Sequence, residues 1–284
     1  MQLDASWFTE IAPGEGIAMS LKGARRLHAE RTPYQQIEIY ETETFGRLMA
    51  IDGCVMLTDR DNFVYHEMLA HPALFTHPAP RDVLIIGGGD CGTLREVLKH
   101  ADIGTLIQAE IDERVTRLAE QYFPELCQAN HDPRARFYFG DGIQWVKEAA
   151  TASLDVILID STDPAGPAAG LFAAAFYKEC RRVLRPGGLI AQQSESPLLY
   201  AHIIKNMHAE FRQAGFAEVR TLTFPQATYP SGWWSATLAG EHGKLADFRR
   251  GDAEHKAFPT LYYDAAMHAA AFALPPFLRE TLAR

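Results

Sequence analysis

The chain has 284 residues, 47% hydrophobic and 22% charged, enough for one principal domain with a smaller companion. A net charge of −9 argues against a nucleic-acid surface, which needs clustered Lys and Arg, and no run approaches the roughly 18 apolar residues of a membrane span. Four scattered cysteines make no CxxC pair, which argues against a zinc site or a disulfide scaffold, and MQLDASWFTE lacks the marks of a signal peptide, so a reducing, cytoplasmic setting is expected.

The first sixty residues read as short strands: Ile17–Leu21, Arg25–Glu30, Gln35–Tyr40, Arg47–Ile51 and Cys54–Thr58. Apolar and polar residues alternate in Gln36-Ile37-Glu38-Ile39, the period of a half-buried strand, and Asp52-Gly53 is a hairpin signal. Residues 1–61 are therefore expected to form a small antiparallel β domain, and residues 62–284 the second domain. A helix is expected over Phe63–Phe75, then strand Asp82–Ile86, a glycine turn and a helix over Thr93–His100. The cycle repeats with strand Thr105–Ala109, a helix after Asp112, strand Arg136–Phe139, a helix from Ile143, strand Asp155–Ile159, a helix near Phe172–Leu184, strand Leu189–Gln193 and a helix over Tyr200–Ala214. Such alternation implies a mostly parallel sheet covered on both faces. Strands Glu218–Phe224 and Trp233–Ala239 follow without an intervening helix, which predicts an antiparallel hairpin completing the sheet, and the last forty residues read as a helical tail.

Open parallel sheets bind ligands beyond the carboxyl ends of their strands. The first four expected parallel strands end in Gly87-Gly88-Gly89-Asp90, Glu110-Ile111-Asp112, Gly140-Asp141-Gly142 and Asp160-Ser161-Thr162-Asp163, so each delivers a carboxylate to one rim. Caps and turns explain any one of these Asp residues, but not all four ends at once. The glycine turn allows close backbone approach, and Glu110, about twenty residues on, has the spacing of a ribose-binding acid. Asp141 is an acceptor suited to an adenine amino group. Asp90 in the glycine loop opposes both a pyrophosphate and an amino-acid carboxylate there. Two like charges at ~4 Å cost about 4 kcal/mol at an effective dielectric near 20. A cationic donor without a carboxylate removes that conflict.

The ordered segments Phe45-Gly46-Arg47-Leu48-Met49-Ala50-Ile51-Asp52-Gly53, Tyr65-His66-Glu67-Met68, Ile85-Ile86-Gly87-Gly88-Gly89-Asp90, Glu110-Ile111-Asp112, Asp160-Ser161-Thr162-Asp163-Pro164-Ala165-Gly166-Pro167 and Gln193-Ser194-Glu195-Ser196 resemble those of the polyamine aminopropyltransferase family. The resemblance runs from about Trp7 to the C-terminus. It implies a methyltransferase-like Rossmann core with a small N-terminal β domain, a homodimer or homotetramer, and no metal or resident cofactor. The implied reaction moves an aminopropyl group from decarboxylated S-adenosylmethionine, a co-substrate, to a diamine such as putrescine. By the same resemblance Gln35, Glu110, Asp141, Gly142 and Pro167 hold the methylthioadenosine part of the donor. Tyr65, His66, Asp90, Asp160 and Asp163 line the aminopropyl and polyamine channel, with Asp160 the proton acceptor. Tyr229 and Trp234 resemble aromatic positions near the diamine. One departure is Cys91, where members usually carry glycine; a positive φ there would strain it. Pro164–Leu171, rich in Gly, Ala and Pro, reads equally as a lid over the site or as a plain flexible connection.

Overall fold

The computed structural model describes residues 3–12, 14–164, 166–241, 243 and 245–283, without the side chains of Gly166 and Pro167. Six strands open the chain. β1 (Trp7–Ala12) and β2 (Ile17–Lys22) pair as an antiparallel ribbon, and β3 (Arg25–Arg31), β4 (Gln36–Thr42), β5 (Gly46–Ile51) and β6 (Cys54–Thr58) form a four-stranded antiparallel meander. β1 is an addition to the expected strands: its residues alternate inward and outward, and the inward series Phe8, Glu10, Ala12 places a carboxylate on the buried face.

α1 (Asn62–Thr76) connects this unit to a seven-stranded sheet and is buried nearly all round. A helix without a polar stripe needs cover on every side. The sheet supplies one side and the C-terminal tail another, where Glu67 on α1 accepts N–H bonds from Leu261, Tyr262 and Tyr263, each at 2.8 Å. The tail carries the short helices α7 (Arg250–Glu254), α8 (Ala265–Ala271) and α9 (Pro276–Ala283).

The large sheet runs in the order β12, β13, β11, β10, β7, β8, β9. Its parallel strands are β7 (Asp82–Gly87), β8 (Thr105–Glu110), β9 (Ala135–Phe139), β10 (Leu154–Asp160) and β11 (Leu184–Gln193). Helices α2 (Gly92–Leu98), α3 (Glu113–Tyr122), α4 (Gly142–Glu148), α5 (Ala174–Val183) and α6 (Ala201–Gln213) alternate with or follow them, and β12 (Glu218–Pro225) and β13 (Trp233–Gly240) close the edge antiparallel. This is the expected Rossmann-like core and hairpin. β11 starts at Leu184, five residues before the expected strand, because α5 runs directly into it and a register shift near Leu154–Val156 absorbs the early pairing. Strand order reverses between β7 and its neighbours β8 and β10, which opens a crevice at their carboxyl ends.

Candidate functional site

The crevice is a cavity of about 320 Å³. Its floor is the turn after β7, where two glycines hold left-handed conformations, Gly87 at φ 80° and Gly88 at φ 65°. A Cβ at Gly87 would lie 2.2 Å from the carbonyl oxygen of Asp160. That approach is what lets Gly88 N–H donate to the same carbonyl at 2.7 Å and locks the ends of β7 and β10 together. Cys91, the N-cap of α2, also sits left-handed at φ 68°, so the residue that the resemblance marked as a departure from glycine occupies a strained position. Its side chain is fully buried, which offsets part of the strain.

On the β8 and β9 side the wall is apolar, with Ile86, Ile111, Val115 and Ile143 around the ends of Glu110 and Asp141. Glu110 is buried and accepts the Asp112 N–H at 2.8 Å; burial outweighs that bond and pushes its carboxyl up to about 7. Asp141 caps α4 through the Ile143 N–H at 2.8 Å and leaves its second oxygen exposed, with Gly142 buried behind it. Asp112 is a clamp: one oxygen caps α3, and the other accepts Thr32 Oγ1 at 2.7 Å and Gln35 Nε2 at 3.0 Å. The β3–β4 turn is thereby pinned over the cavity, with Gln35 on its wall. Pro167 belongs to a segment whose side chain lies outside the described residues, as does part of the candidate lid. Gly166–Phe172, which overlaps that segment, is a 3-10 turn.

On the β10 side the cavity is acidic and aromatic. Asp160 accepts Tyr65 Oη at 2.7 Å on one oxygen and Thr93 Oγ1 at 2.6 Å on the other, so its plane is fixed. Burial, then the like charge of Asp90, push Asp160 up to about 6. Asp90 goes the other way. Burial opposes its charge, but the His66 imidazole at 3.2 Å and the Gly92 N–H at 2.6 Å outweigh that and hold it below the ordinary carboxylate range. His66 is correspondingly raised, because Asp90 overrides the cost of burying its charge. His66 does not line the cavity as expected. It is 1% exposed and lies behind Asp90, in a seat that only glycine at 92 permits: a Cβ there would come within 2.1 Å of the ring. Residues 65 and 66 are neighbours on a helix and point about 100° apart, so only Tyr65 faces the crevice.

The acidic side continues into a smaller recess lined by Glu10, Asp163, Gln193, Tyr229 and Trp234. Tyr229 is fixed by donating to the Met56 carbonyl at 2.6 Å and packs edge-on against Tyr65 and Trp234. Asp163 is open to solvent yet ringed by protein, and this crowding raises its pKa. Burial and Asp163 push Glu195, beside it, up to about 9, and burial brings Glu10 to about 7. Glu10 and Glu195 were not singled out from the sequence. Glu195 lay inside a family-like segment, and Glu10 had one visible signal, a carboxylate on the apolar face of an alternating strand.

The fold and cleft define a Rossmann-like domain with an acid-lined cavity of small-molecule size. Residues 62–250 match the model of the spermine/spermidine synthase domain, and residues 6–59 match that of the spermidine synthase tetramerisation domain. The chain is 62% identical to a polyamine aminopropyltransferase of Methylococcus capsulatus, covering 97% of this chain and 96% of that one. It is also 62% identical to a polyamine aminopropyltransferase of Nitrosococcus oceani over 99% of both. Among solved structures it resembles a spermidine synthase in complex with the transition state analogue AdoDATO, at 35% identity and a TM-score of 0.94, covering 100% of this chain and 97% of that one. The spermidine synthase of Thermotoga maritima matches at 35% identity and a TM-score of 0.91, covering 98% and 94%. The chain belongs to the polyamine aminopropyltransferase family, the spermidine and spermine synthases. It is an enzyme of that family and carries the family's oligomerisation module.

Proposed function

We propose that the enzyme transfers the aminopropyl group of decarboxylated S-adenosylmethionine to putrescine, giving spermidine and 5'-methylthioadenosine. The observation that carries this reading is the charge of the cavity wall. Six carboxylates (Asp52, Asp90, Glu110, Asp141, Asp160, Asp163) line it, with no Lys, Arg or His among the described lining residues. Such a wall favours a cationic donor and acceptor and repels a donor carboxylate. The neighbour's bound transition state analogue supports placing both substrates in the same cleft.

The apolar side takes the nucleoside, with Glu110 accepting from the ribose hydroxyls and Asp141 from the adenine amine; Gln35 and Gly142 complete the described part of that pocket. The sulfonium and aminopropyl ammonium lie toward Asp90, which His66 holds ionised. The diamine lies along Tyr65 and Tyr229, with its far ammonium toward Asp163 and Glu195 and with Trp234 closing the recess. An alkylammonium has a pKa of about 10.4, so the attacking amine must shed a proton. Asp160, raised toward neutrality and oriented by Tyr65 and Thr93, accepts it. The freed nitrogen pair forms the new C–N bond as the C–S bond breaks, and the sulfonium leaves as a neutral thioether. Holding the two reactants in line supplies much of the rate. Four free thiols suit a reducing compartment, the cytoplasm.

A donor-by-acceptor assay with mass identification of products tests this. Methylthioadenosine forming only from the decarboxylated donor, fastest with putrescine, is the expected result. S-adenosylhomocysteine from the intact donor would overturn it, and a faster cadaverine, agmatine or spermidine reaction would reassign the acceptor.

A further inference from the structure

Behind the acidic recess a line of buried hydroxyls crosses the antiparallel edge of the sheet. His208 Nε2 on α6 meets Thr221 Oγ1 on β12 at 2.8 Å, and Thr221 meets Thr237 on β13 at 2.9 Å. Thr237 reaches Ser194 Oγ at 2.9 Å, Ser194 meets Ser235 Oγ at 2.9 Å, and Ser235 reaches the carbonyls of Ser194 at 3.0 Å and Glu195 at 2.7 Å. All four hydroxyl residues and His208 are buried. Each hydroxyl has one proton, and a carbonyl only accepts. The proton of Ser235 is therefore committed to the carbonyls, Ser194 must donate to Ser235, Thr237 to Ser194 and Thr221 to Thr237. His208 must carry its proton on Nε2. Its Nδ1 is buried without a partner, as that tautomer leaves it, and burial pushes the ring down to about 4, which keeps it neutral. The chain thus runs one way, from His208 to Glu195.

Its end point is a strained residue. Glu195 holds φ 69°, rare for a residue with a Cβ, and side chains satisfy both its backbone polar groups: Gln193 Oε1 accepts its N–H at 3.2 Å and Ser235 donates to its carbonyl. A left-handed non-glycine persists only where its surroundings over-determine it. Its carboxyl is buried beside Asp163, which lines the recess, and its Oε2 has no hydrogen-bond partner.

We propose that Ser235 is a positioning residue for acceptor selection, the last link of a one-way hydrogen-bond chain from His208 that sets the Glu195 carboxyl behind Asp163, the carboxylate at the far-ammonium end of the recess. The proposal rests on the acceptor reading above. Ser235 touches no substrate; it acts through Glu195.

The test compares putrescine with 1-aminobutane, which has the same chain and no second amine. In S235A the KM for putrescine is expected to rise about tenfold, the worth of one buried hydrogen bond, with the KM for 1-aminobutane and for the donor unchanged. S235T, which keeps the hydroxyl, should restore the putrescine value. T237V cuts the chain two links earlier and should give a smaller rise of the same selectivity; it stands in if S235A does not fold. Equal changes for the two amines in either variant, or none, would overturn the proposal. E195Q separates the underlying reading: if E195Q leaves the putrescine to 1-aminobutane ratio unaltered, Glu195 does not hold the far ammonium. If E195Q shifts the ratio and S235A and T237V do not, only the hydrogen-bond chain fails.

Discussion

The two halves of the cleft are built differently. The β8 and β9 half is made by residues at the ends of successive strands, with an apolar wall and carboxylates held singly by backbone N–H groups, as Glu110 is by Asp112 and Asp141 by Ile143. The β10 half gathers side chains from distant elements, Glu10 of β1, Tyr65 of α1, Asp160 of β10, Glu195 after β11 and Tyr229 before β13, and its carboxylates lie close enough to shift one another. A nucleoside is recognised by fixed acceptors and apolar area, for which one strand end at a time is enough. A reacting amine needs a base near neutrality that is also within reach of it, and burial beside like charges supplies one at Asp160.

Substitutions on the two sides should therefore separate in kinetics. The largest effect is expected at Asp160. Asp160→Asn removes the proton acceptor and should lower kcat by about 10³-fold while the donor dissociation constant changes little. Normal turnover would remove Asp160 as the base; lost donor binding would mean that the halves are not independent. Next comes Glu110→Gln, which keeps an acceptor for the Asp112 N–H but loses the charge. It should weaken donor binding by about 2 kcal/mol, roughly thirtyfold, with the acceptor KM unchanged. An acceptor KM that rises in parallel would contradict the division.

The acidic half should also show in pH dependence. Asp160 must be ionised to act, so kcat/KM should fall as pH drops through about 6, and Asp160→Asn should flatten that limb. Stability has the opposite sense. A carboxyl whose folded pKa stands above its unfolded value, about 3.9 for Asp, contributes stability below that value and loses it as pH rises through about 6. The Tm of Asp160→Asn relative to the parent should therefore climb between pH 4 and pH 8. A gap that stays constant would show that Asp160 is not held neutral by its surroundings.

The same contrast decides what the sequence could show. On the β8 and β9 side each carboxylate follows an apolar run directly, so strand periodicity and the parallel-sheet rule place Glu110 and Asp141 without further help. The recess is assembled by tertiary packing, which no local period announces. β1 is missing from the expected strands, and Glu10 with it, because its inward face carries a carboxylate and its outward face Ile11, so the hydropathy of the sequence hides the alternation that burial follows. Family likeness put His66 on the channel wall, whereas the structure puts it behind Asp90; helix geometry alone says only that residues 65 and 66 do not share a face. Trp234 and Trp233 divide similarly, since neighbours on a strand face opposite ways. Trp234 reaches the recess while Trp233 packs against Phe277.

The smallest effect is expected where the loop's strain and burial oppose each other. Cys91→Gly relieves a left-handed φ of 68°, worth about 1 kcal/mol or slightly more for a residue with a Cβ. The same change removes a fully buried side chain that packs with Val115, Leu118 and Cys127, a loss of about 1 kcal/mol, and adds glycine's unfolded-state entropy. The terms nearly cancel, so Tm should move by no more than about 2 °C and donor binding should hold. Cys91→Ala separates them, since it keeps the Cβ and its strain while losing the sulfur, and should be the less stable of the two. If Cys91→Ala proves as stable as the parent and Cys91→Gly clearly more so, the thiol contributes no packing and strain alone governs position 91. Glycine would then be the relaxed form of this position.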